Sequence, residues 1–152
     1  MLLFSDPAEQ ALYANTSQDE LIRTFESELH EPINLTVGAP DTHGFRHILS
    51  RHTSNYFHEY ANKSQNRFGE DITGNDLIWG INDFFQNCIR SELFNTRNEE
   101  KMVYVGYANL KGVPTRSLLV VDTQTRNIRT FYPFTEEMDL LLQQRRQRVW
   151  FD

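Results

Sequence analysis

Four of the chain's five histidines, His43, His47, His52 and His58, lie close together in the first half of the sequence. Imidazole has an unperturbed pKa of about 6.5, so it can both take and give a proton near neutrality, as general acid–base chemistry requires. Read as a helix over 42–60, the segment sets His43, His47 and Arg51 at i, i+4 and i+8 on one face. His52 follows about 100° further round the helix axis. Two imidazoles beside a guanidinium can hold a phosphodiester, move protons around it and neutralise charge that develops on its oxygens.

A second polar constellation is Ile128-Arg129-Thr130-Phe131-Tyr132-Pro133. In an extended strand Thr130 and Tyr132 share one face, and Arg129 and Phe131 the other. Two hydroxyls at i, i+2 can hydrogen-bond a phosphate, and a tyrosine ring can stack on a base or ribose. Arg116, on the neighbouring strand, is a candidate for a further phosphate contact. Blander readings compete. Threonine and tyrosine favour strands in any case, Arg116 would serve as a solvated cross-strand charge, and the histidines as a solvated surface set. Zinc competes too, because His43 and His47 have the i, i+4 spacing of helical ligands. Gly44 stands where a metalloprotease carries glutamate, and no third ligand has convincing spacing, so neither a metal nor a cofactor is expected.

The chain around these residues has 152 positions, 39% apolar and 24% charged, enough for one domain with a real core. No apolar run approaches the ~18–20 residues of a membrane helix, and no membrane partner is expected. Met1-Leu2-Leu3-Phe4 is too short for the core of a signal peptide. Cys88 is the single cysteine, which excludes an internal disulfide and any multi-cysteine zinc site and fits a reducing compartment. The net charge of −6 argues against a nucleic-acid partner until its distribution is read. Residues 1–42 hold eight carboxylates against Arg23 alone, and the rest of the chain is almost balanced. Residues 43–68 are locally basic, through Arg46, Arg51, Lys63 and Arg67.

Local patterning predicts an α+β fold, with N-terminal helices packed on a C-terminal antiparallel β-meander. Residues 5–31 read as mainly helical, with Asp6-Pro7 opening a first helix and Ser17 or Asp19 capping a second through about His30. Residues 33–37 alternate as a short strand that joins the sheet. A helix over 42–60 follows, capped by Asp41 or Thr42, with Phe45, Ile48, Leu49 and Tyr56 inward. Ala61–Thr73 reads as an exposed loop. Gly74-Asn75-Asp76 then opens a helix whose apolar face runs Leu77, Ile81, Phe84, Phe85, Cys88, Ile89, Leu93. Cys88 therefore reads as core. Asn95 to Glu100 reads as a charged connector. Strands over 102–108, 115–122 and 127–134 and a closing helix over 136–148 complete the chain. The division is an acidic helical region, 1–42, and a catalytic domain, 43–152.

In this order the pieces resemble a known family. His43-Gly44-Phe45-Arg46-His47-Ile48-Leu49-Ser50-Arg51-His52 on a helix, followed by a meander ending Thr130-Phe131-Tyr132-Pro133, resembles the barnase–EndoU–colicin–RelE superfamily of ribonucleases over roughly residues 33–134. The likeness is greatest to members from bacterial polymorphic toxins and phage-borne proteins, and the Gly-Phe-x-His and Thr-x-Tyr-Pro pieces are similar to EndoU-type motifs. The resemblance implies metal-independent endoribonuclease activity that leaves a 2′,3′-cyclic phosphate. It implies His47 and His52 as the proton-transfer pair, Arg51 as phosphate stabiliser, Thr130 and Tyr132 as the strand hydroxyls, and His43 and Arg116 as substrate-binding residues. An RNA substrate such as a tRNA is implied, together with a cognate immunity protein over the cleft. A cytoplasmic site of action, reached by delivery within a larger secreted toxin, would follow. The EndoU-type lysine between the histidines and the last strand has no obvious counterpart among Lys63, Lys101 and Lys111. A different class of function, a non-catalytic phage, plasmid or bacterial interaction module, would draw on the acidic N-terminal region and the many aromatics.

Overall fold

The computed structural model describes residues 16–27, 30–40, 42–53, 67–69, 71–96 and 99–144. They form an α+β fold around a four-stranded antiparallel sheet of order β3-β4-β5-β6. Its strands are β3 (Cys88–Thr96), β4 (Glu99–Leu110), β5 (Val113–Asp122) and β6 (Ile128–Pro133). Lys111 and Gly112 join β4 to β5 with positive φ at both positions, the backbone that a two-residue hairpin needs to match strand twist. Both faces of the sheet are buried at the middle of β5, which is why Leu118-Leu119-Val120-Val121 is apolar throughout. One face, with Tyr104, Ala108, Leu119, Val121 and Phe131, carries the main core. The other, with Val103, Val105, Leu118, Val120 and Tyr132, carries a second cluster.

Among the described residues the helices are α1 (Gly44–His52), α2 (Gly74–Phe84) and α3 (Glu136–Gln144). Thr73 and Asp76 cap α2 reciprocally, and Leu77, Ile81 and Phe84 point into the main core. Phe45, Ile48 and Leu49 of α1 are buried as expected, whereas Tyr56 lies outside the described residues. On α3, Met138 packs on the second cluster and Asp139 is buried, while Leu140 and Leu141 are exposed.

Three local expectations are corrected. Residues 21–27 are strand β1 (Leu21–Ser27), paired antiparallel with β2 (His30–Thr36), and not the second N-terminal helix. Two register shifts in this pairing break the period-2 signal, leaving apolar residues spaced as on a helix. The described part of residues 1–42 is therefore a β-hairpin, and its Phe25, Ile33 and Leu35 belong to the same core as Phe45 and Phe131. β2 meets the larger sheet through a parallel bridge, Asn34 to Asn127, in place of a full ladder. The expected first helix at Asp6-Pro7 lies outside the described residues.

Second, the α2 pattern does not run on to Leu93. The helix ends at Phe84, and Cys88, Ile89 and Leu93 lie on edge strand β3, where Ile89 and Leu93 are exposed. The cause is non-local. Cys88 pairs with Gly106 of β4 at a register shift, and the chain approaches so closely that a Cβ on Gly106 would sit 2.6 Å from the Asn87 carbonyl oxygen. Third, the 61–73 segment is not wholly an exposed loop: Phe68 and Ile72 are buried, and the Phe68 N–H donates to the His52 carbonyl at 2.7 Å.

The close approach at Gly106 yields a test. Gly106→Ala must push two backbone segments apart, so urea denaturation should register a loss of about 1–3 kcal/mol. An unchanged midpoint would mean that the α2–β3 turn does not depend on this contact.

Candidate functional site

The loop that feeds α1 sets the site. Gly38 and Gly44 both have positive φ, and each occupies the space where the other would carry a Cβ. Their contact closes a tight turn in which the Ala39 N–H donates to the His43 carbonyl at 2.9 Å. The Arg46 N–H, in the first turn of α1, donates to the Val37 carbonyl at 2.8 Å. His43 consequently lies before the helix, at the N-cap position with extended backbone. The expected helical face of His43, His47 and Arg51 thus loses its first member, and the two-histidine helical spacing behind the zinc reading does not form. Among the described residues no three His, Cys, Asp or Glu side chains converge. The N-cap residue is His43, not Asp41 or Thr42 as expected, and its side chain makes no cap hydrogen bond. Asp41 lies outside the described residues, and the Thr42 hydroxyl pairs with His43 Nδ1 at 2.8 Å.

His47 and His52 do come together. Their ring centroids are 5.5 Å apart, edge to face, and His52 stacks on Tyr132 of β6 at 4.8 Å. His47 Nδ1 lies 3.0 Å from the Pro40 carbonyl, which can only accept, so this nitrogen carries the proton. In the neutral ring Nε2 is then the proton-accepting nitrogen. The Ser50 hydroxyl donates to the same carbonyl and steadies the loop. His47, His52 and Tyr132 are 2%, 5% and 5% exposed, so the blander alternative of a solvated surface set does not describe these two histidines, which form an interior pair.

Thr130 shares the sheet face of Tyr132, as their pairing with Val120 and Leu118 requires. It is 1% exposed, and its hydroxyl has no hydrogen-bond partner among the described residues. Arg129 departs from expectation. The extra residue between the Val120–Thr130 and Val121–Ile128 pairs re-aims it away from the face of Phe131, and Nη1 reaches Glu99 Oε1 at 3.5 Å. The other Glu99 oxygen holds Lys101 Nζ at 3.3 Å. Lys101 is buried at 6% and lies two residues before Val103, which pairs with Val120 in the row of Thr130. The sequence did not single out Lys101; only strand register places it on that face. Burial and the nearby Arg129 charge hold the His43 pKa below its ordinary value, favouring the neutral ring.

Arg116 lies on the same sheet face, one row beyond Tyr132, but its Nη2 is engaged by Asp139 Oδ2 at 2.7 Å and does not reach the histidines. Arg51 occupies the penultimate position of α1, and its side chain, like all of His58, lies outside the described residues. Cys88 is half-buried at the start of β3, packed against the main core, and burial pushes its thiol pKa up, which disfavours a nucleophilic thiolate.

A buried hydroxyl without a partner costs stability. Thr130→Val, which keeps the shape, should leave the unfolding free energy unchanged or raise it by about 1 kcal/mol. A clear loss of stability in thermal or urea denaturation would mean that the hydroxyl is structurally satisfied.

The chain gives no significant match to protein-family models, to curated proteins or to solved structures, so the reading of this site rests on its own geometry.

Proposed function

We propose that this protein is a metal-independent endoribonuclease of the barnase–EndoU–colicin–RelE kind. One observation carries the reading: His47 packs edge to face on His52, which stacks on Tyr132, and the Thr130 hydroxyl on the same sheet face has no partner among the described residues. His47 Nε2 takes the proton of a ribose 2′-OH, and the 2′-oxygen attacks the adjacent phosphorus in line. As the bond from phosphorus to the 5′-oxygen breaks, His52 gives that oxygen a proton. The products are a 2′,3′-cyclic phosphate and a free 5′-hydroxyl. Lys101 and Arg129, held by Glu99, supply positive charge for the developing oxyanion, and Thr130 a hydrogen bond. The superfamily-like packing, a toxin role in the cytoplasm of a target cell and a cognate immunity protein belong to the same proposal.

A second reading, a non-catalytic interaction module, is favoured by the burial of both imidazoles, since an RNA phosphodiester must reach rings that are 2% and 5% exposed. Incubation with total RNA in EDTA separates the two. The ribonuclease reading expects discrete fragments with 2′,3′-cyclic ends, and a loss of about 10²–10⁴-fold in rate for His47→Ala or His52→Ala, with the circular dichroism of each variant unchanged. Intact RNA after incubation with folded wild-type protein, or full activity in folded His47→Ala, would sink it in favour of the interaction module.

A further inference from the structure

Away from the histidines, the same sheet face holds a second polar group that the cleavage chemistry does not use. Arg90 of β3, opposite Val105, and Arg116 of β5, opposite Tyr107, converge on one carboxylate, Asp139 of α3. Arg90 Nη1 and Arg116 Nη2 both donate to Asp139 Oδ2, each at 2.7 Å, and Arg90 Nη2 donates to Oδ1. Both carboxylate oxygens are thereby taken. Arg116 Nε is nevertheless buried with no hydrogen-bond partner among the described residues. A guanidinium usually presents Nε and Nη2 together to two oxygens, and here the planar carboxylate supplies only one.

We infer that Arg90 and Arg116 form a binding site for a phosphate group, in which the Asp139 carboxylate stands in for the ligand. A tetrahedral phosphate can offer two oxygens to the Arg90 fork and a third to Arg116 Nε, completing the set that Asp139 leaves unfinished. Among the described side chains of α3, Asp139 makes this ion pair and Met138 packs on the sheet, while Leu140 and Leu141 face solvent. Elements with few buried apolar contacts open at low cost. Glu92, 3.3 Å from Arg90 Nε, disfavours a highly charged anion and favours one that is singly charged near the arginines. The hydrogen bonds from Arg90 hold the Asp139 carboxyl below the usual carboxylate range, so the stand-in is ionised at neutral pH.

The inference goes beyond RNA cleavage, and its test uses no catalytic readout. Calorimetric titration would compare inorganic phosphate, a 2′-deoxy oligonucleotide bearing a 5′-phosphate and the same oligonucleotide without it. Asp139→Asn, which removes the competing charge and keeps the shape, should bind at least about tenfold more tightly than wild type. Arg116→Gln added to that variant should abolish the gain. Tighter binding of inorganic phosphate alone identifies a small phosphate compound as ligand, and tighter binding of the 5′-phosphorylated strand identifies a nucleic-acid end; either supports the site. Unchanged affinity in Asp139→Asn, or a gain that survives Arg116→Gln, would overturn it. Should Asp139→Asn fail to fold, amide exchange on the wild type decides: phosphate should speed exchange across 136–144, and no change at saturating phosphate rejects the exchange.

Discussion

The whole candidate site depends on how the edge of β6 is covered. An open four-stranded sheet has two edges, and exposed edge groups invite unwanted pairing. Here α1 lies against β6, with His52 stacked on Tyr132. That seam holds only if α1 starts at the right place and angle, which the Gly38–Gly44 contact fixes. Neither glycine can be replaced cheaply, since each has positive φ and each would thrust a Cβ into the backbone of the other. Once the turn is closed, the Pro40 carbonyl falls within reach of His47 Nδ1 and sets the tautomer of the ring. A backbone constraint thus becomes an assignment of proton donor and acceptor.

The second sheet face is unusual in mixing apolar packing with buried charge. Lys101 and Asp139 are both nearly inaccessible there, and isolated charges so placed would be costly. Each is matched: Glu99 serves Lys101 and Arg129, and Asp139 serves Arg90 and Arg116. Paired burial of this kind adds little net stability over an apolar equivalent, while loss of one partner leaves the other stranded. The networks therefore fix where side chains point more than they hold the fold together. Thr130 stands out against this background as a buried hydroxyl that nothing among the described residues satisfies.

What was legible in the sequence follows from how local each cause is. The meander over β4–β6 reads directly, because its strands are rich in β-branched, aromatic and aliphatic residues, continuously apolar at Leu118–Val121, and Lys111-Gly112 marks its first turn. The start of α2 reads from Gly74-Asn75-Asp76 and the apolar spacing that follows, while its Thr73 cap emerges only in the structure. β1 does not, because bulges at Leu21–Arg23 and Phe25–Ser27 leave a helix-like pattern that only pairing with β2 overrides. The stop at Phe84 is equally invisible, since the reason for it, Gly106, lies on another strand. In the site, the short-range neighbours His47 and His52 could be paired from sequence, though not their burial. Lys101 and the Asp139 clamp could not, because they depend on strand register and on an ion pair spanning 49 residues.

The charge balance also bears on what an acidic chain can do with a polyanion. The net charge of −6 offers no long-range attraction for RNA. Locally, the cations of the second face are already engaged, Lys101 and Arg129 by Glu99, Arg90 and Arg116 by Asp139 and Glu92. A phosphate arriving there gains its contacts only by competing with a resident carboxylate. Binding by exchange differs from binding to a bare basic patch: the released carboxylate must be resolvated, and part of the electrostatic gain is offset at once. Such a site favours ligands whose oxygens fit the guanidinium forks better than a planar carboxylate does, so it selects by geometry where a basic groove would select by charge.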